Sequence, residues 1–246
     1  KITEVKGEIG LAHTRWATHG KPSVKNAHPH TSKDTVSIVH NGIIENYIDL
    51  KDLQTEQGYD FNSDTDSEVI ANAIHSSLQS SNSFVEAVSS ALRTFKGSYG
   101  LGVISLKHPN TLIAARKNSP LLIGVSNNGN YIASDQMALL SVTNKFIFLE
   151  EGDIAELTLH KVTIYNKDGN VVKRPIKVSH LKESNVELGK YNHYMQKEIF
   201  EQPQAIINTL ESRISKDKVV ISAFGYKAKE IFQKIKQVQI VACGSS

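Results

Sequence analysis

Hydrophobic spacing divides the chain into stretches of two periods. From Asn46 to Gln57, Tyr47, Ile48, Leu50 and Leu53 recur at helical spacing ahead of Gly58, and from Asp66 to Leu78, Val69, Ile70, Ala73 and Ile74 do the same. Residues three and four apart share a helix face, so both stretches predict amphipathic helices. A third helix is predicted from about Ser83 to Lys96 on Phe84, Ala87, Val88, Ala91, Leu92 and Phe95, with Gly97 as a left-handed cap. Beyond Gly97 the apolar runs shorten: Tyr99 to Leu106, Thr111 to Ala115, Leu121 to Val125, Tyr131 to Ala133, Lys145 to Leu149 and Ile154 to Leu159. Turn residues separate them, as in an antiparallel sheet or sandwich. Val162 to Asn166 and Val171 to Arg174 flank Lys167-Asp168-Gly169-Asn170, a hairpin signal because Asp-Gly accepts positive φ.

The two ends read differently. Ile9-Gly10-Leu11-Ala12 and Val36-Ser37-Ile38-Val39 predict strands bracketing a long loop rich in His, Gly, Pro and Asn. Residues 175–192 lack periodicity, and a linker is placed within them at 181–192. A helix from His193 to Glu201 is expected to stop at Gln202-Pro203, a second to run to about Ser212 and a third around Lys227 to Ile235. Gln239-Ile240-Val241-Ala242-Cys243 reads as a buried strand entering Gly244-Ser245-Ser246. A strand opening into Gly-Ser-Ser is a phosphate cradle when a helix follows, since backbone N–H groups and hydroxyls converge on an anion there. Starting at Lys1 without Met and ending at Ser246 just after that run, the sequence reads as a fragment.

Composition narrows the classes. The 246 residues (27.2 kDa) are 39% hydrophobic and 22% charged with a mean hydropathy of −0.28, which excludes collagen-like, disordered and helical membrane-spanning chains. A net charge of +3 with arginines scattered at Arg15, Arg93, Arg116, Arg174 and Arg213 argues against a nucleic-acid stripe. The single cysteine, Cys243, rules out an internal disulfide and suits a reducing cytosol, and no signal-peptide pattern is read. No basic residue near Cys243 in sequence would lower its pKa, so an inert buried thiol is favoured over a nucleophile.

The densest chemistry lies in His13-Thr14-Arg15-Trp16-Ala17-Thr18-His19-Gly20. Arg15, Thr18 and His19 can surround a small carboxylate with a planar fork, a hydroxyl and an imidazole. The same stretch can equally be a solvated loop anchored by Trp16. Asn41 and Gly42, after His40, offer a side-chain NH2 beside a backbone N–H, a two-donor pocket for a developing oxyanion or, alternatively, a plain Asn-Gly turn. Asp66 can bind an ammonium group or belong to the acidic first turn of its helix. A rival reading uses His13, His19, His28, His30 and His40 with Asp64 or Asp66 as a divalent-metal site, making the chain a metal-dependent or non-catalytic sugar-phosphate binding protein. No His-x-x-x-His pair or cysteine ligand accompanies that cluster.

Several separated segments agree on one family. HTRWATHG (13–20), NAHPH (26–30), HNGIIEN (40–46), SDTDSEV (63–69), SDQMALL (134–140), LEEGDIA (149–155), HYMQKEIFEQP (193–203) and ACGSS (242–246) resemble, in order, the glutamine:fructose-6-phosphate aminotransferases, also called glucosamine-6-phosphate synthases. The Trp16 form of the first motif, the His193 helix and the CGSS loop are similar to this group rather than to other class II amidotransferases. The resemblance implies an α+β chain. Residues 1–180 would be a glutaminase domain of the N-terminal-nucleophile hydrolase type, four layers deep (αββα), and residues 193–246 the start of a first α/β sugar-isomerase domain. The implied enzyme releases ammonia from glutamine and passes it through a channel to fructose 6-phosphate. It implies Arg15, Thr18 and His19 on the glutamine carboxylate, Asp66 on its amino group, and Asn41 and Gly42 as oxyanion hole. Trp16 would gate the channel, and Ser245 and Ser246 would begin the sugar-phosphate loop. The implied scheme needs no metal or organic cofactor, and the implied protein is a cytoplasmic homodimer. In the family the motif with the nucleophilic cysteine lies upstream of the position of Lys1; Cys243 belongs instead to the sugar-phosphate strand, so the fragment alone is expected to be inactive.

Overall fold

A computed structural model describes residues 7–15, 19–179, 190–210, 213–215, 218–224 and 228–239. The chain divides into two compact units, Lys1–Val186 and Glu187–Ser246. In the first unit, strands β1 (His30–Ser32) and β2 (Val36–Ile44) precede helices α1 (Tyr47–Glu56), α2 (Glu68–Ser77) and α3 (Phe84–Leu92). Strands β3 (Gly97–Ser105), β4 (His108–Lys117), β5 (Leu122–Ser126), β6 (Gly129–Ala133), β7 (Lys145–Phe148), β8 (Ile154–Leu157), β9 (Val162–Tyr165), β10 (Val171–Val172) and β11 (Ile176–Val178) follow. They form a seven-stranded sheet, β1-β2-β3-β4-β8-β9-β10, and a four-stranded sheet, β11-β7-β5-β6. Every ladder in both is antiparallel.

The larger sheet is buried on both faces, which explains the continuous apolar run of β4. Ile113 and Ala115 join Val36 and Ile38 of β2 under Val69, Ile70 and Ile74 of α2 and Phe84, Val88 and Leu92 of α3. Leu112 and Ala114 point the other way, toward Ile123 of β5, Ile147 of β7 and Ala155 and Leu157 of β8. Alternate residues of one strand thus feed two cores. On the smaller sheet's far side Leu139 and Thr143 sit against Gly124, where a Cβ would meet them. Among the described residues this gives three layers, helix, sheet and sheet. The fourth, helical layer of the expected αββα arrangement is represented there by the 3-10 turn Gln136–Leu139.

Other departures have local causes. Ile9–Ala12 forms no strand; Ile9 and Leu11 lie against the inter-sheet core, and β2 pairs with β1 instead. The third helix stops at Leu92 rather than Lys96, and Gly97 opens β3 rather than capping a helix. Phe95 turns into the core, and Glu45 N–H donates to the Lys96 carbonyl, tying the chain to the sheet. Ile176–Val178, within the stretch read as aperiodic, adds an edge strand to β7.

In the second unit α4 (Tyr194–Leu210) runs through Pro203 as one helix, where the sequence predicted a break. A proline inside a helix removes one N–H bond without obliging the helix to end. A short hairpin, β12 (Ile214–Ser215) and β13 (Lys218–Val219), precedes α5 (Ala228–Lys234). The strand expected to 243 and Ser245 and Ser246 reach past 239, outside the described residues. No helix among the described residues is long and apolar enough to cross a membrane.

Candidate active site

β2 changes character at His40. Its earlier residues point into the cores, whereas His40, Asn41, Gly42 and the backbone of Ile43 and Ile44 fix a polar cluster against the start of α2 and the neighbouring strand β3. His40 is 3% exposed and held on both nitrogens. Its Nε2 donates to the Ser98 carbonyl (3.3 Å), so Nδ1 accepts from the Ser67 hydroxyl (2.8 Å). Gly42 has φ +137°, and a Cβ there would strike the Ser98 carbonyl, so only glycine fits. Asp66 is 3% exposed, and its Oδ2 accepts the Ile44 N–H (2.8 Å). α2 begins at Glu68, and the carboxylate of Asp66 serves β2 rather than the helix turn.

The preceding loop is braced by Glu68, whose carboxylate accepts the N–H groups of Asn62 (2.9 Å) and Ser63 (2.8 Å) and the Ser63 hydroxyl (2.6 Å). Buried Asn26 bridges the two loops that face each other. Its amide donates to the Lys21 carbonyl (3.0 Å) and its Oδ1 accepts the Asp64 N–H (2.8 Å). Lys25 pairs with Asp64 at 2.8 Å and the Asn26 amide donates to the same carboxylate (3.3 Å), and these two contacts hold the Asp64 carboxyl below its usual range.

Arg15 and His13 close the other side. Arg15 occupies the left-handed region at φ +57°. Its guanidinium donates to the carbonyls of His19 (2.7 Å), Gly20 (2.8 Å) and Lys21 (3.2 Å). The fork that the sequence aimed at a carboxylate is therefore engaged with its own loop. Its N–H donates to His13 Nδ1 (2.9 Å), and His13 Nε2 lies 2.7 Å from Asn41 Oδ1. His19 Nδ1 stands 3.7 Å from Asp66 Oδ1.

These groups enclose a cavity of about 260 Å³ whose wall includes Arg15, His19, Asn41, Gly42 and Asp66. Five of the sequence-predicted site residues thus meet in one place. Trp16 and Thr18, expected beside them, lie outside the described residues. A larger space of about 1260 Å³ adjoins it between the sheets, sharing His13, Arg15, His40 and Asn41 and bordered by Gly100 and Gly102. Ser67 and Ser98 line the smaller cavity without having been assigned a role from the sequence, and His13 and His40 line it having been read there only as candidate metal ligands. His40 was legible only as one histidine among several, and Ser98 reaches the site through the β2–β3 register, which no local pattern encodes.

The histidines form a stack rather than a ligand sphere. Ring centroids are 4.4 Å apart for His13 and His28 and 4.7 Å for His28 and His30. Burial, reinforced by His30, His13, His40 and Arg15, pushes His28 down to about 3. Burial also lowers His30 and His40. No group of three or more His, Cys, Asp or Glu side chains among the described residues could hold a metal ion. What remains is a carboxylate at one wall and an amide donor beside a glycine at another, an arrangement that can grip an ammonium group and stabilise an oxyanion.

Residues 13–141 match the glutamine amidotransferase domain family. The chain is 52% identical over 240 residues to the glutamine–fructose-6-phosphate aminotransferase (isomerizing) of Haemophilus influenzae, an alignment taking in 98% of this chain and 39% of the relative. It is 49% identical over 246 residues to the enzyme of that name from Vibrio cholerae, covering 100% of this chain and 40% of the relative. The chain therefore spans about two fifths of the length of these curated relatives. Among solved structures, the glutamine phosphoribosylpyrophosphate amidotransferase from B. subtilis, complexed with ADP and GMP, superposes with a TM-score of 0.52 at 23% identity. That match covers 65% of this chain and 35% of that one, and is a likeness of fold.

Proposed function

The chain belongs to the glutamine amidotransferase domain family, and from that premise we propose that the cavity at the end of β2 binds L-glutamine and stabilises the oxyanion formed as its side-chain amide is cleaved. One observation carries the reading: Asp66, Asn41 and Gly42 line the same 260 Å³ cavity, with the Asp66 carboxylate buried. Asp66 holds the α-ammonium group of glutamine. Arg15, with His19 and Thr18, takes its α-carboxylate, which requires the substrate to replace carbonyls now bonded to the guanidinium. Asn41 Nδ2 and the Gly42 N–H receive the negative charge of the tetrahedral intermediate.

The nucleophile in this scheme is a cysteine thiolate on a segment that this sequence does not contain. The thiolate attacks the amide carbon, the C–N bond breaks with release of ammonia, and water hydrolyses the thioester to glutamate. In the longer enzyme the ammonia is transferred to fructose 6-phosphate, giving glucosamine 6-phosphate. Trp16 gates its passage, and Ser245 and Ser246 begin the sugar-phosphate site. Residues 1–180 are the glutaminase domain of N-terminal-nucleophile hydrolase type, 181–192 a linker and 193–246 the start of a sugar-isomerase domain. The enzyme works in the cytoplasm as a homodimer, without cofactor. The identities of 52% and 49% to glutamine–fructose-6-phosphate aminotransferases over nearly the whole of this chain support the reading of the longer enzyme.

Asn41→Ala in the full-length protein tests the site directly. Losing one oxyanion donor lowers kcat for glutamine hydrolysis by about 10²–10³. An unchanged kcat would remove Asn41 from the site.

A further inference from the structure

We propose that His13 is a positioning residue that orients the Asn41 side chain so that its NH2 faces the reacting carbonyl, an inference that rests on the oxyanion role of Asn41 given above. A backbone N–H can only donate, so the 2.9 Å contact from Arg15 N makes His13 Nδ1 an acceptor. A neutral imidazole then carries its proton on Nε2, and that N–H points at Asn41, 2.7 Å away. Only the amide oxygen can receive it. The chain of two bonds therefore decides which end of the Asn41 amide faces His13, and it leaves Nδ2 without a hydrogen bond among the described residues, on the cavity wall. An oxyanion hole is effective when its donors are aimed before the charge develops. Asn41 by itself is a freely rotating amide, and turned over it would present a carbonyl oxygen to the oxyanion.

His28 supports the arrangement from behind. Its ring lies 4.4 Å from that of His13 at a 51° tilt, and both its nitrogens are buried without a hydrogen-bond partner among the described residues. It packs as an apolar wall would, limiting tilt of the His13 ring.

The two nitrogens of His13 can be mimicked separately in the full-length protein. His13→Asn places an amide oxygen near the Nδ1 position and keeps the Arg15 bond while removing the donor to Asn41. His13→Gln reaches as far as Nε2 and keeps a donor there. The expected result is that His13→Asn lowers kcat for glutamine hydrolysis about tenfold per folded molecule, with KM for glutamine little changed. His13→Gln restores most of that loss. In an Asn41→Ala background His13→Asn lowers kcat no further, because the residue it positions is gone. The proposal is overturned if His13→Asn leaves kcat intact, if His13→Gln falls as far as His13→Asn, or if the loss is the same size in the Asn41→Ala background. When Asn41→Ala lowers kcat and His13→Asn does not, only the positioning role fails. When Asn41→Ala itself has no effect, the oxyanion reading fails with it.

Discussion

The two halves of β2 solve different problems with one backbone. Val36 and Ile38 are buried in one core by alternation, with Val39 buried on the opposite face, and apolar neighbours of suitable volume satisfy them. From His40 onward each residue has a specific partner: Ser67 and Ser98 for His40, His13 for Asn41, the Ser98 carbonyl against Gly42, the Ser98 hydroxyl for the Ile43 N–H and Asp66 for the Ile44 N–H. The partners come from the loop at 13–15, the start of α2 and strand β3. The first half is degenerate in sequence and tolerant. The second is over-determined, because each polar group left unpaired there would cost about 1–3 kcal/mol.

Substitutions that exchange the behaviour of the two halves would break this contrast. Gly42→Ala has the largest expected effect, since the new Cβ meets backbone rather than a movable side chain. Glutamine hydrolysis by the full-length protein should fall by about 10³ or more, as expected when an oxyanion donor is displaced and its neighbour disturbed. A rate within tenfold of the parent would show that the Gly42 backbone is not part of the site. Ile38→Ala comes next and should act on stability only. Loss of a fully buried Ile side chain costs about 2–4 kcal/mol in urea denaturation, with kcat per folded molecule retained. A kcat loss in that variant would mean the halves are not separable.

Arg15→Lys is smaller. A lysine ammonium, a compact point charge, cannot reproduce the planar fork whose two terminal nitrogens reach the carbonyls of the present loop, or a bidentate carboxylate contact. The KM for glutamine should rise about tenfold with kcat changed less. An unaltered KM would remove Arg15 from the carboxylate role.

A fourth test, on stability alone, is a pH slope. His28 titrates near 6.5 when unfolded but is held down to about 3 by burial in the folded state. Between those values the unfolded chain binds the proton and the folded chain does not, so this contribution is intact above pH 6.5 and is lost as pH falls toward 3. Urea midpoints measured from pH 7 to 4 should decline less steeply in His28→Phe than in the parent. Equal slopes would contradict the buried, neutral assignment. His30 and His40, lowered for the same reason, keep some slope in the variant.

Sequence and structure agree where a single period suffices. The three helices and most strands follow from spacing, although on α1 Ile48 and Leu53, counted to its apolar face, are exposed and only Leu50 and Gln54 are buried. Agreement is poorer where tertiary contacts compete with local pattern. Ile9–Ala12 has a strand's composition but no ladder, and α4 continues through Pro203. Arg15, His19, Asn41, Gly42 and Asp66 were recognisable as chemistry in short motifs and do share one cavity. His13 sat inside a quoted motif, yet its link to Asn41 spans 28 residues and depends on how the loop at 13–15 lies against the end of β2. The engagement of the Arg15 fork with its own loop was equally invisible, because residue type shows which partners are possible without showing which is present.

The claim that this cavity holds the amino-acid end of glutamine is tested most directly by the affinity of the full-length protein for L-glutamate, which it does not consume. Asp66→Asn retains an oxygen to accept the Ile44 N–H while removing the charge that the α-ammonium group requires. Calorimetric titration should show binding weakened about 10–100-fold, the worth of a charge-assisted contact of about 1.5–3 kcal/mol, with the melting temperature little changed. Equal affinity of the two proteins for L-glutamate would contradict the assignment.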